Sequence, residues 1–96
     1  MMNKKKIIQE IERKREKLKA KGVKKIGLFG SYLKGTQKRG SDIDLLVSVD
    51  KGKEEDYFEI LFYLEGVFKR KVDLIIDRSL RRELNYVKRE AVYVIL

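Results

Sequence analysis

Three short apolar segments, separated by longer amphipathic ones, constrain the fold of this chain more than any other feature. Residues 23–29, 42–49 and 71–76 are rich in Val, Ile, Leu and Phe, which is typical of β-strands. Residues 3–21 and 54–68 carry apolar side chains at the three- and four-residue spacing of a helix. The alternation predicts an α/β or α+β layer, with helices packed on a three- or four-stranded sheet.

Weaker segments complete the predicted order. Residues 31–40 are mostly polar or basic and include glycine, which indicates a loop or a short helical turn. Ser79 is placed to cap a final short helix, and residues 91–96 are apolar enough for a small closing strand. The chain of 96 residues is expected to form one domain, residues 1–96, in the order α-β-(α)-β-α-β-α.

The side-chain inventory excludes several kinds of chemistry. His and Cys are both absent, which removes Ser-His-Asp and Cys-His triads and thiolate or imidazole metal sites. Catalysis would have to use carboxylates, hydroxyls, Lys and Arg, and the metals that suit this inventory are hard cations such as Mg²⁺. The 24 Lys and Arg residues outnumber the 15 Asp and Glu residues, and the net charge of +9 favours phosphates, nucleic acid or an acidic protein as partners.

The hydropathy pattern argues against contact with a membrane. The uninterrupted apolar stretches are only a few residues long, far short of the roughly 20 residues needed to cross a bilayer. Lys4, Lys5 and Lys6 lead into a charged helical pattern instead of the apolar core of a signal peptide. We therefore expect a cytoplasmic protein.

The segment Ser41-Asp42-Ile43-Asp44-Leu45 is the most informative part of the sequence. Side chains two apart in a strand face the same way, so Asp42 and Asp44 would project together with their Cα atoms about 6 to 7 Å apart. Two close carboxylates repel unless positive charge lies between them, and a pair of Mg²⁺ ions would supply it. The alternative is that these aspartates are exposed residues that protect a strand edge from aggregation.

Gly30 and Ser31 stand where the first predicted strand ends. Glycine allows backbone N–H groups to approach a ligand closely, and the Ser hydroxyl adds a donor, so phosphate is the expected occupant. The alternative is a simple glycine turn with a Ser cap.

Asp73 supplies a third carboxylate near the start of another predicted strand. It can lie beside Asp42 and Asp44 if the second and third strands are neighbours. Three acidic groups near a phosphate-binding turn match nucleotidyl transfer, in which metal ions bridge the triphosphate and activate a hydroxyl. Asp77 competes with Asp73, but it lies at the far end of the same strand and is interpreted as a turn residue.

Together these segments resemble a known signature. Residues 30–35, 41–47 and 72–74 look like the motifs of the minimal nucleotidyltransferases of the DNA polymerase β superfamily, including the antitoxin branch encoded with HEPN-domain toxins. The resemblance implies the nucleotidyltransferase fold, with a small mixed sheet packed with helices. The match spans nearly the whole chain.

The resemblance also implies roles for seven residues. Asp42 and Asp44 would bind both of two Mg²⁺ ions, and Asp73 would complete one metal site and help to activate the nucleophile. The triphosphate of ATP would be held by Gly30, Ser31, Lys34 and Ser41. Lys34 stands where Arg is usual in the family, so it would neutralise phosphate as a point charge instead of a fork.

The activity that the resemblance implies is transfer of AMP from ATP to a tyrosine hydroxyl of a HEPN-domain toxin, which silences the toxin. The length agrees, because 96 residues leave no room for an acceptor-binding domain and the acceptor would arrive on another protein. Three alternatives remain: an antitoxin that only binds its toxin, a nucleic-acid-binding domain suggested by the charge of +9, and transfer to a small hydroxyl compound. The nucleic-acid alternative leaves the three aspartates unexplained.

Overall fold

The computed structural model describes residues 2–96, which form five α-helices and four β-strands. The helices are α1 (Lys4–Arg13), α2 (Arg15–Ala20), α3 (Gly30–Lys34), α4 (Tyr57–Phe68) and α5 (Asn85–Glu90). The strands are β1 (Val23–Phe29), β2 (Ile43–Val49), β3 (Val72–Ile76) and β4 (Val92–Ile95). Short 3-10 turns cover Glu54–Asp56, Asp77–Ser79 and Arg82–Leu84.

The strands form one mixed sheet in the order β3-β2-β1-β4. Strand β1 runs antiparallel to both β2 and β4, whereas β2 and β3 are parallel. The end of β1 therefore lies beside the starts of β2 and β3. This mixed sheet with helices confirms the predicted fold class, and β4 is the predicted closing strand.

One face of the sheet and three helices build the hydrophobic core. Alternating residues of the strands point to this face, because side chains of a strand alternate between its two sides. Helices α1, α2 and α4 cover it with the aliphatic side chains that the sequence spacing predicts. The fully buried members include Ile7, Ile11, Leu18, Ile26, Leu28, Ile43, Leu45, Ile60 and Leu64.

The first predicted helix is not continuous. Asn3 caps its start, since the Asn3 side chain accepts a hydrogen bond from the Lys6 backbone N–H at 2.9 Å. Helix α1 ends at Arg13, and α2 begins at Arg15. Beside the break, the Arg15 guanidinium donates to the Ile95 carbonyl oxygen at 2.6 Å. This contact joins residues 80 positions apart, so the apolar spacing of residues 3–21 could not reveal it.

The prediction that Ser79 caps the final helix is wrong. Ser79 ends a 3-10 turn, and α5 begins only at Asn85. The reason is topological: β3 and β4 occupy opposite edges of the sheet, so residues 77–84 are used to cross from one edge towards the other. No helix within residues 2–96 is both long enough and apolar enough to span a lipid bilayer.

Helix α4 offers a matched pair of variants that tests the core. Leu64 is 1% exposed and Phe62 is 64% exposed. We expect Leu64→Ala to lower the free energy of unfolding by about 2–5 kcal/mol, since it removes buried methyl groups and leaves a cavity. Phe62→Ala should change it by no more than about 0.5 kcal/mol. Urea denaturation measures both values, and equal losses would contradict the assigned burial.

Candidate active site

Three segments of the chain meet at one end of the sheet. Strand β1 ends at Phe29, next to Gly30 and Ser31 at the start of α3. In the sheet register, Phe29 pairs with Asp44, and Asp44 pairs in turn with Asp73. The antiparallel and parallel pairings together bring the glycine turn and two of the predicted carboxylates to one place. The sequence predicted this convergence on the condition that β2 and β3 are neighbours, and they are.

The contact between Gly30 and Asp44 requires glycine for two reasons. Gly30 has a φ of +73°, a backbone conformation that residues with a Cβ rarely adopt. A Cβ built at this position would also overlap the Asp44 carboxylate oxygen Oδ2. The Asp44 carboxylate therefore lies directly against the backbone at the start of α3, where the Ser31 backbone N–H favours its negative charge.

The surroundings of Asp44 make its negative charge unfavourable. Burial raises its pKa from 3.8 to about 6, and the nearby charges of Asp73 and then Asp42 contribute in the same direction. A side-chain hydrogen bond with Asp73 also raises the pKa, whereas the hydrogen bond from the Ser31 backbone lowers it. The three aspartates thus form one interacting group, with Asp44 at its centre.

Asp42 and Asp73 lie at the exposed side of this group. Asp42 directly precedes β2, so it is one residue outside the strand in which it was predicted. Among residues 2–96, no Lys or Arg nitrogen lies within 4.0 Å of Asp42, Asp44 or Asp73. Within the described part of the chain, no ion pair therefore neutralises the negative charge of this group.

The donor chemistry of these carboxylates fits a hard cation, because Mg²⁺ prefers oxygen ligands. Their arrangement is open: no three acidic side chains within residues 2–96 are placed to hold one metal ion by themselves. The close pair is Asp44 with Asp73. Further oxygen ligands would have to come from water or from a bound phosphate, which is usual for Mg²⁺ sites.

The remaining predicted residues surround the group in different ways. Ser41 stabilises a turn: its Oγ accepts from the Lys38 backbone N–H at 2.8 Å, and its own N–H donates to the Lys38 carbonyl at 2.9 Å. Lys34 is exposed and lies one helical turn after Gly30. Both Gly30 and Lys34 line an apolar cavity of about 270 Å³ between α3 and α5. Asp77 begins the turn at the far end of β3, as predicted.

Two side chains that the sequence did not single out hold β3 in place beside Asp73. The Tyr57 hydroxyl donates to the Leu74 carbonyl at 2.5 Å, and the Glu65 carboxylate accepts from the Val72 backbone N–H at 3.1 Å. Burial raises the pKa of Tyr57, and the charges of Asp73 and Glu65 add to the effect. Tyr57 and Glu65 look like ordinary positions of an amphipathic helix, so no sequence signal distinguishes them.

Comparisons with known proteins agree with this geometry. The chain belongs to the nucleotidyltransferase domain family, whose profile matches residues 5–94. It is 37% identical over 94 residues to the protein adenylyltransferase MntA of Thermococcus cleftensis, covering 91% of this chain and 95% of the relative. A Methanocaldococcus jannaschii protein with a provisional assignment as a protein adenylyltransferase is 45% identical over 87 residues, covering 85% of each chain.

Solved structures show the same fold. A protein provisionally described as a minimal nucleotidyltransferase superposes with a TM-score of 0.81 and 29% identity, covering 95% of each chain. A toxin–antitoxin structure with AMP-PNP gives a TM-score of 0.64 and 32% identity, covering 80% of this chain and 62% of that one. The complex of tri-AMPylated Shewanella oneidensis HEPN toxin with its MNT antitoxin gives 0.54 and 30%, covering 80% and 61%.

The charge on Asp44 leads to a prediction about stability. Because its pKa is raised, ionisation of Asp44 destabilises the folded state, and wild-type stability should fall as pH rises from about 4 through about 6. Without divalent cations, Asp44→Asn should be more stable than wild type at pH 7.5. The raised pKa of Asp44 corresponds to a difference in unfolding free energy of at most ~3 kcal/mol, which solvent screening reduces to about 1 kcal/mol.

Thermal unfolding followed by circular dichroism from pH 4 to pH 8 measures this difference, with EDTA present. The advantage of Asp44→Asn should shrink towards pH 4. Asp50→Asn is the control, since it removes one negative charge from an exposed position outside the site. An Asp44→Asn variant that is less stable than wild type at pH 7.5 would contradict the electrostatic assignment.

Gly30 and Gly35 provide a second comparison. Both have positive φ angles, of +73° and +77°, but a Cβ at Gly35 would have nothing within 4 Å. Gly35→Ala should therefore cost only the backbone strain, roughly 1–2 kcal/mol. Gly30→Ala should cost about 1–3 kcal/mol more, because the new methyl group displaces the Asp44 carboxylate. Denaturation curves of the two variants test this, and equal costs would refute the contact.

Proposed function

We propose that this chain is an Mg²⁺-dependent protein adenylyltransferase that transfers AMP from ATP to a tyrosine hydroxyl of a HEPN-domain toxin and so acts as its antitoxin. The observation that carries the proposal is the Asp44 carboxylate, held against the Gly30–Ser31 backbone and beside Asp73 at the end of the sheet. The relatives support it, since they include the adenylyltransferase MntA and antitoxins in complex with HEPN toxin.

The carboxylates would bind the metal ions. We assign Asp42 and Asp44 to both of two Mg²⁺ ions and Asp73 to one of them, in agreement with the oxygen donors and the uncompensated charge of the group. When bound, the ions would neutralise the developing phosphate charge and lower the pKa of the attacking hydroxyl. Asp73 pairs with Asp44 in the sheet and is exposed. It would therefore accept the proton of that hydroxyl.

The start of α3 would hold the triphosphate. The Ser31 hydroxyl would donate to a phosphate oxygen, since it makes no hydrogen bond within residues 2–96. Lys34 lies one turn further along and can neutralise a phosphate oxygen, and Ser41 fixes the turn that leads to Asp42. The apolar cavity beside Gly30 and Lys34 is suited to the nucleoside of ATP.

The transfer itself is a substitution at phosphorus. The tyrosine oxygen forms a bond to the α-phosphorus of ATP as the bond from that phosphorus to the oxygen bridging it to the β-phosphorus breaks. Pyrophosphate leaves with the electron pair, and the hydroxyl proton passes to the Asp73 carboxylate. The product is AMP in a phosphodiester link to the tyrosine oxygen.

Transfer need not stop after one AMP. The toxin in the complex from Shewanella oneidensis is tri-AMPylated, so that toxin carries three AMP groups. We propose that this chain also adds AMP to an acceptor that already carries it. The hydroxyls of the attached ribose then take the place of the tyrosine hydroxyl. We also propose that the reaction takes place in the cytoplasm, where ATP is available.

Mass spectrometry of a HEPN-domain protein encoded next to this chain tests the proposal. With ATP and Mg²⁺, wild type should add one or more AMP groups, and EDTA should abolish the addition. Asp44→Asn and Asp73→Asn should slow the transfer at least about a hundredfold, because they remove metal-binding oxygens that stabilise the transition state. Asp50→Asn is again the control.

Two outcomes would contradict the proposal. Absence of any mass shift with wild type under conditions where ATP binds would exclude the enzymatic function. If Asp44→Asn protected cells from the toxin as well as wild type does, the chain would be an antitoxin that acts by binding alone.

A further inference from the structure

Helix α4 carries two aromatic side chains on its outer surface. Phe58 and Phe62 are each 64% exposed, and they lie one helical turn apart with ring centroids 6.1 Å from each other. Gly66 follows one turn later on the same side of the helix. Exposed apolar patches mark interaction sites on protein surfaces. We refer to the exposed residues Glu55, Phe58, Phe62, Gly66 and Lys69 as the outer face of α4.

Gly66 leaves a gap beside the two rings. A Cβ built at Gly66 would have nothing within 4 Å. Gly66 also lines an open groove of about 500 Å³, together with Phe62 and Val67 of α4 and with Lys17 of α2. Ridges of side chains on one helix pack into the grooves of another. A ring that projects from a second helix could therefore pack against Gly66.

Opposite charges flank this aromatic patch. Glu55 lies just before α4 and Lys69 directly follows it, and both side chains are exposed. Among residues 2–96, neither Glu55 nor Lys69 has an oppositely charged group within 4.0 Å. The outer face of α4 is thus acidic at one end, aromatic in the middle and basic at the other end.

This order of groups is complementary to itself when two copies of α4 lie antiparallel. With Phe62 at the crossing point, Phe62 faces its own copy, Phe58 faces Gly66, and Glu55 faces Lys69, because each pair is equally distant from Phe62 along the chain. A symmetric pair makes every such contact twice. A parallel arrangement would instead place Glu55 against Glu55 and Lys69 against Lys69, which is unfavourable.

A second copy bound to α4 does not block the carboxylates. Ile43 and Leu45 belong to the core that α4 covers, so Asp44 between them projects from the opposite face of the sheet. Asp73 projects the same way, because it pairs with Asp44 in the parallel register. The outer face of α4 and the candidate active site therefore lie on opposite sides of the sheet.

We propose that the outer face of α4 binds a second copy of this chain and forms a symmetric, antiparallel dimer centred on Phe62. The exposed surface of the four aromatic rings in such a dimer amounts to roughly 500 Å². This is about a third of a standard protein interface, so the remaining contacts are peripheral and the dimer is weak. We expect a Kd of about 10–500 µM.

Sedimentation velocity at protein concentrations from about 5 µM to about 1 mM measures this self-association. Wild type should shift from one chain to two. Phe58→Ala/Phe62→Ala should raise the Kd at least about tenfold, because central aromatic side chains supply most of the binding free energy of an interface. Val92→Ala/Ile95→Ala is the matched control, since it removes two exposed apolar side chains from β4. It should leave the Kd unchanged within about twofold.

Charge reversal tests the antiparallel pairing, in a buffer of low salt so that screening is small. Glu55→Lys alone and Lys69→Glu alone should each weaken self-association by about threefold or more, because each brings like charges together in both contacts of the dimer. A mixture of the two variants should associate as wild type does, since both contacts of the mixed dimer again join opposite charges.

Three results would overturn the proposal. Wild type that remains a single chain at about 1 mM has no such dimer, and the outer face would be assigned to the HEPN-domain protein if Phe58→Ala/Phe62→Ala then lost binding to it. A dimer that persists in Phe58→Ala/Phe62→Ala, or dissociates in Val92→Ala/Ile95→Ala, uses another surface. A mixture of the charge variants that associates no better than either one alone excludes the antiparallel pairing.

Discussion

The rest of the site depends on one electrostatic constraint, the placement of the Asp44 carboxylate between the Gly30 backbone and Asp73. The parallel register of β2 and β3 brings the two aspartates side by side, and the glycine turn covers part of the Asp44 carboxylate. Burial and like charge raise the pKa of Asp44 to about 6. The fold therefore holds negative charge where it is unfavourable, and a bound cation would relieve that repulsion.

The scaffold explains why the carboxylates remain in this arrangement. Asp73 lies on an edge strand, which has a neighbouring strand on one side only. Helix α4 compensates, because Tyr57 and Glu65 bind the backbone of Leu74 and Val72, the residues on either side of Asp73. The core beneath consists of aliphatic side chains. The position of the site is thus determined by the sheet register and by two polar contacts from a helix.

Part of the positive charge of the chain lies around one cavity. Helix α3 contributes Gly30 and Lys34 to one cavity, and its Tyr32 lines a second cavity together with Lys38, Arg39 and Arg70. Cations that converge on a concave surface raise the local concentration of anions there.

The sequence by itself determined the order of strands and helices and identified Gly30, Asp44 and Asp73, because strand alternation and glycine turns are local properties of the chain. Tertiary structure decided which strands are neighbours, and hence that Asp73 lies beside Asp44. It also divided the first helix, moved the start of the last helix from Ser79 to Asn85, and brought Arg70 and Gln37 into one cavity. These outcomes join residues far apart in the sequence, so they depend on packing and have no local pattern that could predict them.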